Sequence, residues 1–562
     1  MSYFDTSGAS FNANLRMLET SDPCHADTFN ALFGQLINND VAIQKAAGGF
    51  ASTKNAQAKF LLDMRRTGKK YGVHWDAFDI NPSSIGTRLY DNVGKVCEPS
   101  TNTVQGRNDL EGESVFYHLE VNGYVDEDGE FQVQYIRGID NEFSRTERDV
   151  WCLFLTQWIK IEITATGENL ILSDMAHEGF FPEGGAIRPD GTIRPYVAIA
   201  KYQDSSESSG TPNSISGHIP SYNNSHNSMI TKFHGKGSQY CGTTAQDWQR
   251  MTNLFDVAFA TRDSQSIMKG ATTSYYLQYP ATVEEADVER IIIAKSQAAN
   301  LLVGSCVSIG NATALNTAGT TGNIDRGQAG MHAKANSVLI TKIEDYDDTN
   351  AAVYVDNGGT VFSTAKAVVD NIDCPTYLST MPWYTGACDD ILGSCGSPSS
   401  NSSGKEPYIL FGVELALGQY EVCSNVIMNV VNGVMRPHVC YDCTKLSSNA
   451  PTEDYEAVAY TLALTDNAWK YISVLGFDPD NPMVRHGTEV NATSTTGYAD
   501  GQHTGVIDET TNSKREVLFG GYLSTGAPAG RRFAYLGYAL SHSNWYYAAR
   551  LSASGRCAQS AV

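Results

Sequence analysis

The sequence predicts a mainly β fold with some α. Runs in which apolar and polar residues alternate recur along most of the 562 residues, helical spacing is confined to the N-terminal region and to 247–259, and 50 Gly among Ser/Thr/Asn-rich stretches supply frequent turns. Hydrophobic residues make up 41% of the chain and charged residues 18%, which excludes a disordered chain and a coiled-coil rod. At roughly 150 residues per domain the length corresponds to about three or four domains.

The first elements are helical. Asp22-Pro23 is a cap residue followed by proline, after which Phe29, Leu32, Phe33, Leu36, Ile37 and Val41 recur at helical spacing. Gly48-Gly49 ends this helix, and 52–66 reads as a second one carrying Phe60, Leu61 and Met64. From about 71 to 172 the period changes to two, as in 114–121, 129–136 and 150–161, and predicts an antiparallel meander. Asp126-Glu127-Asp128-Gly129 lies between two alternating runs; it lacks the glutamate a calcium loop needs at its twelfth position and reads as a hairpin turn. A polar loop at 205–228 precedes the helix expected at 247–259. The stretch 288–370 reads as a compact inserted β unit. Asn227-Ser228-Met229-Ile230-Thr231-Lys232 and 336–342 echo one another, too briefly to make a repeat. Beyond the Gly/Ser/Pro/Asn stretch 393–404 the chain returns to apolar segments.

Charge and chemistry remove several classes. Forty basic against 62 acidic residues give a net charge of -22, with basic residues grouped only briefly, as at Arg65-Arg66, Lys69-Lys70 and Arg531-Arg532; no nucleic-acid partner is expected. No apolar run approaches the ~18 residues of a membrane helix, and Met1-Ser2-Tyr3-Phe4-Asp5 lacks the features of a secretory signal, so synthesis in the cytoplasm without membrane insertion is expected. The signatures GxxxxGK[ST], GxGxxG, GxSxG and HExxH are missing, and no catalytic residue is assigned. Twelve cysteines include one CxxC pair, Cys440 and Cys443, with His438 nearby; buried or merely close thiols are expected there in preference to a metal. No cofactor is expected, and a structural calcium is left open.

The most unusual segment is 519–552, in which Gly and Ala recur as punctuation while Tyr, Trp, His, Arg, Ser and Asn fill the positions between. Tyr and Trp offer large contact areas with few rotatable bonds, which suits a recognition surface. Phe533, Leu536, Trp545 and Leu551 are expected in the core, and Tyr522, Tyr535, Tyr538 and Tyr546 exposed. The frame GG-x4-GA-x-AG, followed by Leu, Ser-Asn-Trp and Ala-Arg-Leu-Ser, resembles the terminal block of C-type-lectin-fold proteins diversified by retroelements and the related formylglycine-generating-enzyme-like fold. Asp263-Ser264-Gln265-Ser266 is similar to the same family. The opening segment His25-Ala26-Asp27-Thr28-Phe29-Asn30 and the run Ser83 to Leu89 resemble tail-fibre or adhesin proteins of phages of gut bacteria.

That resemblance implies a virion tail fibre, a homotrimer that attaches to a host-surface receptor, protein or glycan. It implies residues 1–70 as a helical segment docking on other tail or baseplate proteins, 71–185 as a β-sandwich-like spacer module, and 186–562 as a C-type-lectin-like α+β domain with an inserted β module at about 288–370. Its displayed positions would be Tyr522, Ser524, Thr525, Arg532, Tyr535, Tyr538, His542, Asn544, Tyr546 and Tyr547, with contact as their role. Oxidase activity is not implied, because Cys557 lacks a partner cysteine near the end of the chain. Two other classes compete: a virion structural or decoration protein that buries the Tyr-rich segment against its neighbours, and a glycan-degrading tailspike whose fold would bring two carboxylates together.

Overall fold

A computed structural model describes residues 33, 35, 36 and 53–552, apart from 189, 207–209, 275–277, 312–328, 370 and 495–496. The fold is mainly β with some α. Of the first expected helix only Phe33, Gln35 and Leu36 are described, and they are helical; the rest of the proposed docking segment before residue 53 lies outside the described residues. The second helix forms at Lys54–Asp63, where the Thr53 hydroxyl accepts the Ala56 N–H and Ala58 and Leu62 are buried against the strand Phe131–Ile136 and its neighbours.

Two antiparallel sheets follow. One has five strands in the order Thr87–Tyr90, Lys70–Asp76, Gly167–Ser173, Trp158–Thr164, Phe181–Pro182. The other has four, in the order Phe131–Ile136, His118–Val125, Val150–Leu155, Tyr196–Ala200. The acidic turn at 126–129 joins two of these strands; Gly129 has φ +80°, and the Asp126 carboxylate accepts the N–H groups of Asp128 and Glu130. The boundary expected after residue 185 is corrected. Tyr196–Ala200 pairs residue for residue with Val150–Leu155, so the second sheet needs residues beyond 185 for its fourth strand.

Nor is the first β region a separate spacer. Tyr71, Trp75 and Phe116 share one apolar core with Leu254 and Phe255 of the long helix Ala245–Phe259 and with Val517, Phe519 and Leu536 of the C-terminal region. Every residue of that helix is buried. Thr244 caps its start, and at its end Arg88 donates to the carbonyls of Val257 and Ala258 at 3.1 and 2.7 Å, supplying partners that the last helical turn lacks. A seven-stranded mixed sheet completes the body, in the order Gly487–Asn491, Lys470–Leu475, Gly501–His503, Gly530–Tyr535, Leu518–Gly520, Tyr420–Val422, Tyr547–Ala548. Two smaller sheets lie beside it, built from 395–415 and from 426–515.

The inserted β unit is wider than 288–370. Its six strands run from Gln278–Pro280 to Thr376–Met381, and its core of Ile291, Ile293, Val307, Ile309, Ile340, Val353 and Leu378 is a cluster of its own. The edges of the sheet meet: the Thr282 N–H donates to the Ile292 carbonyl at 2.8 Å, which curls the insert toward a barrel.

Candidate functional site

The terminal segment is held by its arginines. Gly530–Tyr535 lies antiparallel to Leu518–Gly520 and parallel to Gly501–His503. Arg531 turns inward over the Trp248 ring, 3.8 Å from its centroid, while the Trp248 indole N–H donates to the Arg531 carbonyl at 2.7 Å. Arg532 pairs with Asp256 about two helical turns further on, and its own N–H donates to Asp500. Arg550 pairs with Glu421 and donates to the carbonyls of Ala200 and Glu414 at 3.1 and 2.8 Å, tying the end of the chain to sheets formed much earlier. Gly520, at φ +83°, lies where an added Cβ would come within 3.0 Å of the Trp248 ring, so the punctuation is set by close packing on this helix.

On that frame the aromatic side chains stack into one face. Tyr538 lies parallel to His542 with ring centroids 3.9 Å apart and is tilted against Tyr535 at 4.5 Å. Tyr535 stacks in turn on His503 at 4.7 Å, and His503 meets Trp469 at 4.9 Å. Tyr522 stacks on Tyr546 at 4.3 Å, and Tyr546 meets Trp545 edge-on at 5.3 Å. Tyr420, fully within the core, contacts Tyr522, Tyr535, Tyr546 and Tyr547 from below. Tyr522, Tyr535, Tyr538, His542 and Trp545 are all half-buried, each keeping part of its surface in solvent.

The displayed set expected from the sequence therefore divides. Ser524 is exposed, and Tyr522, Tyr535, Tyr538, His542 and Asn544 are half-buried. Thr525 is buried, with its hydroxyl accepting the Tyr522 N–H at 2.9 Å, and it shapes the turn. Arg532 is spent on Asp256, an ion pair almost wholly removed from water. Tyr547 is fully buried with its hydroxyl 2.9 Å from His542 Nδ1, and Tyr546 is only 9% exposed. These four are corrected from contact to support. Trp545, expected in the core, is half-buried on the face, whereas Phe533, Leu536 and Leu551 are core residues as expected. Sequence reading missed Tyr420, Trp469 and His503. They are isolated aromatics outside the terminal block, and no local pattern distinguishes them.

The face carries little charge. Burial lowers the proton affinity of His542 and of His503, which keeps both imidazoles neutral at pH 7. Beneath them Glu516 is pushed up to about 8 by burial, only partly relieved by the His226 N–H and the Tyr547 hydroxyl, so it too is predominantly neutral. The result is a face of uncharged rings, with the half-buried Arg515 guanidinium beside Tyr535, on a chain of net charge -22.

A polar groove begins beside this face. Clefts of about 670 and 560 Å³ share Gly217 and Tyr384, and the second runs between the insert, at Leu302 and Leu339, and the body. The Asn223 N–H at its rim donates to the Asn544 carbonyl at 2.9 Å. Glu406 lines the groove, but its carboxylate accepts from Ser399 and Ser400 and so braces the adjoining loop.

The CxxC spacing does not bring its two sulfurs to one site: the Cys440 thiol donates to the Asp442 carbonyl at 3.2 Å and the Cys443 thiol to that of Gln239 at 3.2 Å. Among the described residues no group of His, Cys, Asp and Glu is arranged to hold a metal, and no helix is long and apolar enough to cross a membrane. No protein-family model and no curated protein matches the chain.

Proposed function

We propose that this chain is a phage tail-fibre receptor-binding protein that attaches the virion to a bacterial surface ligand through its C-terminal aromatic face. In this reading the C-terminal part of the body carries a C-type-lectin-like frame, residues 1–70 dock on other tail proteins, and three copies assemble. The observation that carries the reading is the continuous row Trp469, His503, Tyr535, Tyr538 and His542, ring against ring, in which His503 is buried and the other four are half in solvent. Such rings are rigid before the ligand arrives, so little conformational entropy is lost when one side is covered. Uncharged rings within an acidic surface favour uncharged groups, such as sugar faces or apolar side chains, over anionic polymers. Several tips on one particle strengthen modest single contacts by raising the effective concentration of the later ones.

The test is adhesion of the labelled full chain to a panel of bacterial strains, beside a variant carrying Tyr535→Ala, Tyr538→Ala and His542→Ala. The variant is expected to keep its secondary structure and lose adhesion to every strain the parent binds. Equal adhesion by both proteins would overturn the assignment of this face.

A further inference from the structure

Two pairs of thiols stand together in the folded body, and each pair joins chain from opposite sides of the insert. Ten of the twelve cysteines are described, all of them buried free thiols. Beside Cys97 and Cys395 the backbones run together: the Ser100 N–H donates to the Cys395 carbonyl at 2.8 Å, and Ser100 bridges Gly396. Asn108, which faces Cys97 across another bridge, donates its amide to the Ser394 hydroxyl at 3.3 Å. The side chains of Cys97 and Cys395 are hydrogen-bonded to each other. In the second pair the Cys443 sulfur reaches back to the turn that carries Cys241, 3.2 Å from the Gln239 carbonyl, and the two thiols are again hydrogen-bonded. The ring of His234 fixes the Cys443 backbone by a 2.8 Å contact with its carbonyl oxygen.

We propose that Cys97 with Cys395, and Cys241 with Cys443, are oxidation sites that close into two disulfides when the folded chain meets a small-molecule disulfide such as oxidised glutathione. In each pair one cysteine loses its proton, and the thiolate attacks a sulfur of the small disulfide, forming a mixed disulfide and expelling one small thiolate. The second cysteine, deprotonated in turn, attacks the protein sulfur of that mixed disulfide, so the internal S–S bond forms and the second small thiolate leaves. Two protein thiols are oxidised and one small disulfide is reduced to two small thiols, which take up the two protons. Cys97 is the entry point of the first pair: it retains 9% exposure, and although its contact with Cys395 and its burial push the thiol well up, the Arg88 guanidinium nearby opposes that shift. Both bridges enclose the entire insert in their loops, so they fasten the part of the body before residue 278 to the part after 381, where loop closure restricts the unfolded chain most.

The experiment is independent of the adhesive reading. The full chain, purified under a thiol reductant, is exchanged into oxidised glutathione without denaturant, quenched with an alkylating agent and digested without reduction. Mass spectrometry is expected to find the Cys97 peptide joined to the Cys395 peptide and the Cys241 peptide joined to the Cys443 peptide, with the midpoint of thermal unfolding raised by several degrees. A Cys97→Ser variant is expected to lose the first linkage and its share of the rise while keeping the second. Alkylated thiols at these four positions, glutathione adducts in place of internal bridges, or linkage to other cysteines would overturn the proposal; closure of one pair alone overturns it for the other. Because the mapping is done on the unaltered chain, it decides the matter even if the variant does not fold.

Discussion

The body and the insert solve the same problem by different means. The insert is one contiguous stretch whose strands alternate aliphatic residues into a private core, and its ion pairs, such as Lys342 with Glu344 and Lys366 with Asp373, lie at the surface. The body is assembled from segments far apart in the chain. Its contacts between distant segments are sealed by ion pairs buried from water: Arg250 with Glu183, Arg485 with Glu168, Arg532 with Asp256, Arg550 with Glu421. Alternation suffices where neighbours in sequence are neighbours in space. Where a strand must find a partner hundreds of residues away, a buried charge that tolerates one partner only penalises the wrong docking.

Cutting one of those seals should produce the largest effect. Arg550→Ala leaves Glu421 buried without its cation, and removing one partner of such a pair costs about 3–5 kcal/mol. Chemical unfolding followed by tryptophan fluorescence is expected to move by that amount. All seven tryptophans lie outside 278–381, so this signal reports chiefly the body, with Trp383 packed against the insert at Leu302. Ile293→Ala in the core of the insert should cost ~2–5 kcal/mol, but only locally. Its expected signature is faster amide exchange in the insert strands with the tryptophan transition unmoved. A matching loss in both regions would show that the two cores unfold as one and would dissolve the distinction.

The same contrast explains what the sequence disclosed. The meander, the Asp-Gly hairpin, the long helix and the insert were all legible because each is specified by local period and turn chemistry. The two echoing segments show where that stops. Asn227 to Lys232 lies in the helix His226–His234, started by a reciprocal cap between Ser225 and Ser228 and burying Met229, Ile230 and Phe233 on one side. The near copy at 336–342 lies in the strand Ala335–Asp345, where Val338 and Ile340 face the insert core. Flanking residues and tertiary partners decide between the two. The aromatic face was half legible. Tyr535, Tyr538 and His542 belong to a segment of unusual composition, but the partner of Arg532 and the rings of Trp469 and His503 arrive from elsewhere in the chain, and no local spacing announces them.

A buried carboxyl beneath the face links stability to pH. Burial raises Glu516 in the folded state to about 8, above its value in an unfolded chain, so the folded protein holds this proton where the unfolded chain has released it. Whatever stability depends on the neutral form is fully present below the unfolded value and is lost as pH rises through about 8. Between about pH 6 and 8 the loss amounts to about 2 kcal/mol by linkage. Glu516→Gln, which keeps the shape without the acid, should flatten the decline, and melting temperatures of both proteins across that range will show it. Parallel declines would place the ionisation elsewhere.

The smallest expected effect on stability accompanies the largest on binding. Tyr538→Ala removes a half-buried ring stacked on His542 at 3.9 Å, and an aromatic pair of this kind contributes about 0.5–1.5 kcal/mol beyond its buried area. The fold should survive with a slightly lower midpoint, because Phe533, Leu536 and the clamped arginines hold the frame without it. Tyr346→Ala on the insert is the matched control. That ring is 42% exposed and faces Arg290 at 5.7 Å outside the stacked row, so its loss should leave adhesion unchanged. If adhesion instead falls with Tyr346 and persists without Tyr538, the division of labour is reversed: the insert is the recognising part, and the stacked rings of the body serve the fold.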